Sequence, residues 1–174
     1  QALALLLSQG VLRDAPGHRL IVAPLEADYV RQMYEMRAVI EGLAMREAAQ
    51  RNADRAAKQG PALIEAGRKA AASGSVPKMI AADMKFHAFV HELCGNPLVA
   101  STLAPHLTYM QRVMGQVLQR DQKPRAVWDE HETMLQAIAA GDGPRAEILA
   151  RDHIMSAAEF MISGLQEKHP PKVR

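Results

Sequence analysis

Four side chains able to ligate a metal ion stand where three amphipathic segments should bury leucine. On a helical wheel at about 100° per residue, Met79, Phe86, Val90 and Cys94 form one apolar stripe. Asp83 and His87 fall inside that stripe one turn apart, a carboxylate and an imidazole projecting the same way. Taken alone, this pair reads first as a hydrogen bond that satisfies a half-buried histidine. His131 shares a face with Val127, Trp128, Met134, Leu135 and Ile138. His153 does the same between Leu149 and Ala157, with Phe160 two turns on. Burying four such groups without partners is costly, and one shared ion satisfies all of them. Three imidazoles and a carboxylate suit zinc, nickel, manganese or iron(II), and an incomplete shell leaves room for a ligand oxygen. The other histidines lack this joint pattern: His18 falls in a turn, His91 and His106 on the shoulders of their stripes, and His169 in the tail.

An arginine accompanies them. Val30, Met33, Tyr34, Ile40 and Ala44 make an inner stripe with Arg37 at its middle. Glu41 follows one turn later, so an internal Arg37–Glu41 pair is one reading. The other is a guanidinium that reaches a cavity and takes a small carboxylate or hydroxy acid through paired hydrogen bonds. That cavity is expected between the helices carrying Arg37, Asp83, His131 and His153, with the ion at its floor. Met36, Val39 and Leu43 make a second apolar flank on the Arg37 helix, wider than one core needs, and a symmetric dimer is its simplest partner.

The elements that must position these groups are helices. From Leu25 onward the periodicity predicts six: about 26–50; from Asn52 to just before Ser73-Gly74, kinked or split at Gly60-Pro61; Ser75 to Gly95; 96–119, bent at Pro105; Pro124 to Gly141; and Asp142 to about Gln166. Residues 1–24 differ. Ala2–Ser8 is a helix end stopped by Gly10, and Val11–Asp14 and Arg19–Ala23 form a hairpin across Pro16-Gly17. The expected fold is therefore all-α, an antiparallel helical bundle over residues 25–168 behind a helix end and hairpin over 1–24.

Composition agrees. The 174 residues include thirty alanines, 48% are hydrophobic and only 4% aromatic, which favours helices over sheet. A net charge of +2 permits nucleic-acid binding without arguing for it. The single cysteine, Cys94, excludes an intrachain disulfide and fits a reducing, cytoplasmic setting. The longest apolar run, Ala2–Leu7, is far too short for a membrane span.

In order and spacing, several stretches resemble the GntR family of bacterial transcription regulators, in the subfamily with a FadR-type C-terminal ligand-binding (FCD) domain. They are Arg37-Ala38-Val39-Ile40-Glu41, Asp83-Met84-Lys85-Phe86-His87 with Gly95-Asn96-Pro97, Glu130-His131 with Ala140-Gly141-Asp142, and His153. The helix count resembles the six-helix VanR-like branch. The resemblance implies a divalent metal at Asp83, His87, His131 and His153 beneath an effector pocket. It also implies that residues 1–24 are the end of a recognition helix and the wing of a winged-helix DNA-binding domain whose start lies ahead of Gln1. Arg13, His18 and Arg19 near the wing tip are then candidate phosphate contacts. The function expected is a metal-dependent, effector-sensing repressor, dimeric, binding operator DNA and a small organic acid, with no catalytic residue. Two alternatives compete: a helical-bundle metalloenzyme with a three-histidine, one-aspartate site, and a plain dimerisation module with satisfied core histidines. Against the enzyme, Glu130 and Glu132 flank His131 and point away from it on the wheel, and no HExxH is present.

Overall fold

A computed structural model of the chain describes residues 1–17, 19–119 and 124–166, with the side chains of Pro124 and Arg125 not described. Helix α1 (Ala2–Ser8) leads into strands β1 (Leu12–Ala15) and β2 (Arg19–Val22), then α2 (Ala27–Ala72), α3 (Val76–Cys94), α4 (Pro97–Leu118), α5 (Pro124–Ala139) and α6 (Gly143–Gln166). The hairpin is antiparallel, with Leu12 opposite Val22 and Ala15 opposite Arg19. Gly17 at its turn has φ of +82°, the left-handed geometry that glycine adopts without penalty. Fold class and hairpin are as expected.

The long helix α2 keeps one expected break and lacks another. Its one break is at Asn52 (φ −141°, ψ 35°), where two helices were expected to meet, but Asn52 does not cap the second. Its Nδ2 instead donates to Leu93 O at 2.6 Å, and Arg51 Nη1 donates to Cys94 O at 2.7 Å. The two side chains thus satisfy carbonyls at the C-terminus of α3 and dock the bend against it. The break expected at Gly60-Pro61 is absent. Pro61 and Ala57, the residue whose carbonyl loses its donor, lie on the solvent side, where water replaces the missing bond. Gly60 serves packing: a Cβ there would come within 2.3 Å of Leu135 Cδ1. Gly67 plays the same part under the Trp128 indole, where a Cβ would approach within 2.1 Å. Helix α4 likewise runs unbroken past Pro105. Taking the arms before and after Asn52 separately, the described residues from Ala27 on form six helical segments, the number expected.

Helix α2 is the spine of the bundle and packs on α3, α5 and α6. Two apolar clusters result. One gathers Met45, Phe86, Val90, Leu93, Trp128, Leu135 and Ile138. The other gathers Val30, Tyr34, Met110, Val113, Ile154 and Met161. On α2 the change from one cluster to the other falls between Ala38 and Ala44, and on α6 between Ala150 and Ile154. The polar site occupies that boundary.

Candidate metal centre and adjoining cavity

Among the described residues, the buried polar or charged side chains are Arg37, Glu41, His87, His131 and His153. All but Glu41 were candidates from sequence, and all five belong to one constellation. His87, His131 and His153 each offer a ligand nitrogen within 4.8 Å of the others. Helix α3 supplies the first, α5 the second and α6 the third. Asp83, one turn before His87, places Oδ1 3.5 Å from His131 Nε2. Three of the four expected ligands thus come together in a cluster whose donors fit a divalent ion, and Asp83 stands beside it against His131.

His131 carries the argument for an ion. It is fully buried, its ring stacks on Phe86 (centroids 4.4 Å apart) and meets the edge of Trp128 at 4.7 Å. Neither of its ring nitrogens has a hydrogen-bond partner. A polar ring left so in an apolar wall costs free energy unless something accepts its lone pair. Burial, followed by the neighbouring His153, His87 and Arg37, pushes His131 well below the usual imidazole range, with Glu41 acting the other way. Its ring is therefore neutral near pH 7, the form that binds metal.

Glu41 was noted only as a possible partner of Arg37, and that pair exists, with Arg37 Nε 3.3 Å from Glu41 Oε1. The other oxygen, Oε2, lies 3.1 Å from His91 Nε2 and 3.1 Å from His87 Nδ1. The His87 contact is off the line of a hydrogen bond, so it is electrostatic. Burial alone would raise the Glu41 carboxyl; His87, His91 and Arg37 outweigh it and hold the group well below the usual carboxylate range. Burial also acts against the charge on Arg37, but Glu41, then Tyr34 and Asp83, raise its pKa above the ordinary value. His91, placed on the shoulder of its stripe, thus joins the site through an acid on another helix. The missed signal was its i, i+4 spacing from His87.

A cavity of about 650 Å³ adjoins this cluster. Arg37, Glu41, His87 and His91 form its polar end, and Met84, Leu103, Leu107 and Met110 line its apolar side. Arg37 faces a cavity as expected, but the location differs. The space lies between α2, α3 and α4, whereas α5 and α6 were expected to wall it. Phe86 and Trp128 pack against His131, and of the three clustered histidines His87 lines this cavity while His153 lines a separate hollow between α5 and α6.

The N-terminal candidates are spread out. Arg13 is exposed on β1 and pairs with Glu26 at 3.0 Å, and Arg19 is exposed at the start of β2. His18 lies outside the described residues. The segment that joins the hairpin to α2 is moored to α4: Arg112 Nη2 donates to Ala23 O at 2.6 Å, and the Tyr109 hydroxyl accepts from Glu26 N at 2.9 Å. On the α2 flank, Val39 and Met36 are exposed and Leu43 is half-buried.

Residues 32–156 match the family model of the FCD domain. The chain belongs to the FCD domain family. Solved structures agree in fold. E. coli McbR/YncC superimposes with a TM-score of 0.79 at 17% identity, covering 97% of this chain and 83% of that one. A GntR protein from Rhodococcus sp. RHA1 gives 0.76 at 15% identity, covering 93% and 77%. A GntR-family transcriptional regulator from Pseudomonas syringae pv. tomato str. DC3000 gives 0.62 at 18% identity, covering 95% and 70%. No curated protein sequence matches the chain. The FCD match contains Arg37, Glu41 and all four candidate ligands, so the constellation lies inside the family's own domain. Among the described residues, no helix is long and apolar enough to cross a membrane.

Proposed function

We propose that this FCD protein is the sensing part of a GntR-type transcription regulator, in which a divalent ion and Arg37 together recognise a small organic acid. The single observation that carries the reading is His131: a fully buried imidazole with both nitrogens unpartnered, set between two further imidazoles and Asp83. His87, His131 and His153, with Asp83, would hold the ion, zinc or nickel best and manganese or iron(II) as alternatives. The ion would supply a fixed positive centre for an anionic oxygen. Arg37 would take the remaining acidic group bidentately from the cavity wall, and the apolar side would select a short carbon skeleton.

The rest of the chain fits this role. The hairpin, whose link to α2 is moored to α4 by Arg112 and Tyr109, would act as the wing of a DNA-binding domain, with Arg13 and Arg19 touching phosphates. Helix α4 lines the cavity through Met110 and holds that link through its neighbours Tyr109 and Arg112. A ligand that moves α4 would thereby shift the wing and change operator affinity, a coupling of the usual ~1–3 kcal/mol. Two copies would meet through the Val39 and Leu43 flank. The protein is read as a cytoplasmic regulator and not as an enzyme, on the strength of its family. A thermal-shift screen of mono-, di- and hydroxy-acids, with and without zinc, tests the proposal. Acids that stabilise the zinc-loaded protein more than the metal-free one support it, and stabilisation by cations or neutral apolar compounds alone contradicts it.

A further inference from the structure

Four consecutive residues of α5 part in three directions. His131 turns into the imidazole cluster, while Asp129 and Glu132 both reach Arg68 on α2, at 2.8 and 2.6 Å. Glu130 does neither. It crosses to α6, where its Oε2 lies 2.6 Å from His153 Nδ1, a short and well-aligned contact. On the helical wheel Glu130 points away from His131, and it does; its target is the next ligand along. His153 is buried, whereas Glu130 keeps 46% of its side chain exposed. A half-exposed acid is thus tied to a buried ring that the cluster needs.

The chemistry of this contact fixes the ring. An ionised carboxylate can only accept, so Nδ1 must be the protonated nitrogen of His153. In the neutral ring, Nε2 is then left with the lone pair. We infer that Glu130 is a positioning residue of the metal centre, holding His153 by Nδ1–H so that Nε2 is the nitrogen presented to the ion. The inference rests on the metal-binding reading above and adds residues to it. His87 also faces a carboxylate from the interior, with Nδ1 3.1 Å from Glu41 Oε2 but off the line of a hydrogen bond. Among the three imidazoles, His153 is the one hydrogen-bonded to a carboxylate; His87 and His131 have Glu41 and Asp83 at contact distance. Outer carboxylates of this kind set the tautomer and orientation of a ligating ring and raise its basicity.

The test uses zinc alone as the probe, titrated against a chromophoric chelator into the parent, Glu130→Ala, Glu130→Gln and Glu132→Ala. Glu130→Ala is expected to weaken zinc binding by about ten- to a hundredfold. Glu130→Gln, which keeps an acceptor oxygen, should recover part of the loss. Glu132→Ala removes the same charge two residues away and should stay near the parent, which separates positioning from general attraction of the cation. Nitrogen-15 spectra of the imidazoles in the zinc-loaded parent should show His153 protonated at Nδ1 and metallated at Nε2, an observation that needs no variant to fold. Zinc affinity unchanged in Glu130→Ala, equal losses in Glu130→Ala and Glu132→Ala, or metallation of His153 at Nδ1 would each overturn the inference. A parent that binds no zinc would overturn the functional reading itself, and this inference with it.

Discussion

Replacing His131 by leucine should stabilise the metal-free protein and weaken the metal-loaded one relative to the parent. The ring is fully buried against Phe86 and Trp128, and both of its nitrogens are unpartnered. An unsatisfied buried polar group costs about 1–3 kcal/mol. Leucine is of similar size and carries no such group, but it forfeits ring pairing worth about 0.5–1.5 kcal/mol. The metal-free variant should therefore gain on the order of 1 kcal/mol. Zinc at a hundredfold excess over its dissociation constant adds about 2.7 kcal/mol to the parent and much less to a variant lacking a ligand. The order of stability should thus invert between chelator and zinc. Each kcal/mol corresponds to roughly 2–4 °C in Tm for a domain of this size. Thermal unfolding followed by circular dichroism, in chelator and in zinc, reads both signs from one pair of proteins. A leucine variant less stable than the parent under both conditions would refute the reasoning, since His131 would then be an ordinary packed residue.

Three further outcomes are expected. Arg37→Ala should lower affinity for the best organic acid of the thermal-shift screen by roughly tenfold to more than a hundredfold, from the loss of a charged hydrogen bond of about 1.5–3 kcal/mol. Arg37→Lys should not restore it, because an ammonium cannot pair with both carboxylate oxygens; equal acid binding by all three proteins in calorimetry would contradict this. Stability of the metal-free chain should fall with acidity. His131 has its pKa lowered on folding, so its contribution is intact above the unfolded value near 6.5 and is lost below it, at up to about 1.4 kcal/mol per pH unit. Glu41, also lowered on folding, adds a second loss that begins below its ordinary value near 4.5. Denaturation midpoints that do not change between about pH 5 and 7 would contradict the first of these losses. Val39→Glu with Leu43→Glu should convert a dimer to monomer in sedimentation velocity, and a parent already monomeric at tens of micromolar, on the order of ordinary interface affinities, would contradict the dimer.

What could be read from the sequence were the groups that break an apolar stripe. Asp83, His87, His131 and His153 stand out because helical periodicity places each against the core, and Arg37 stands out for the same reason. That signal is local to one helix, and so it survives without knowledge of how helices cross. Contacts between helices carry no such signal. Glu41 is visible only as the neighbour of Arg37 on its own helix, while its contacts with His87 and His91 depend on how α2 crosses α3. The reach of Glu130 from α5 to His153 on α6 is of the same kind. The position of the cavity is not legible for a related reason: α4 carries none of the polar landmarks, yet its Leu103, Leu107 and Met110 form the wall. Gly60-Pro61 misled in the opposite way. The pair has the chemistry of a break, but the glycine is there to admit Leu135 and the proline sits on the solvent face, so α2 continues through both. Asn52 marked the real bend, although its amide docks on α3 and does not cap a new helix.

The central claim is that three histidines from three helices, with Asp83, hold one divalent ion. Native mass spectrometry of the chain, purified without chelator and reloaded with zinc, tests this most directly. The expected spectrum shows one ion per subunit in the parent, on a dimer, and loss of that ion in His131→Ala and in His153→Ala. A parent that retains no ion after reloading, or an ion that remains in both variants, would contradict the claim.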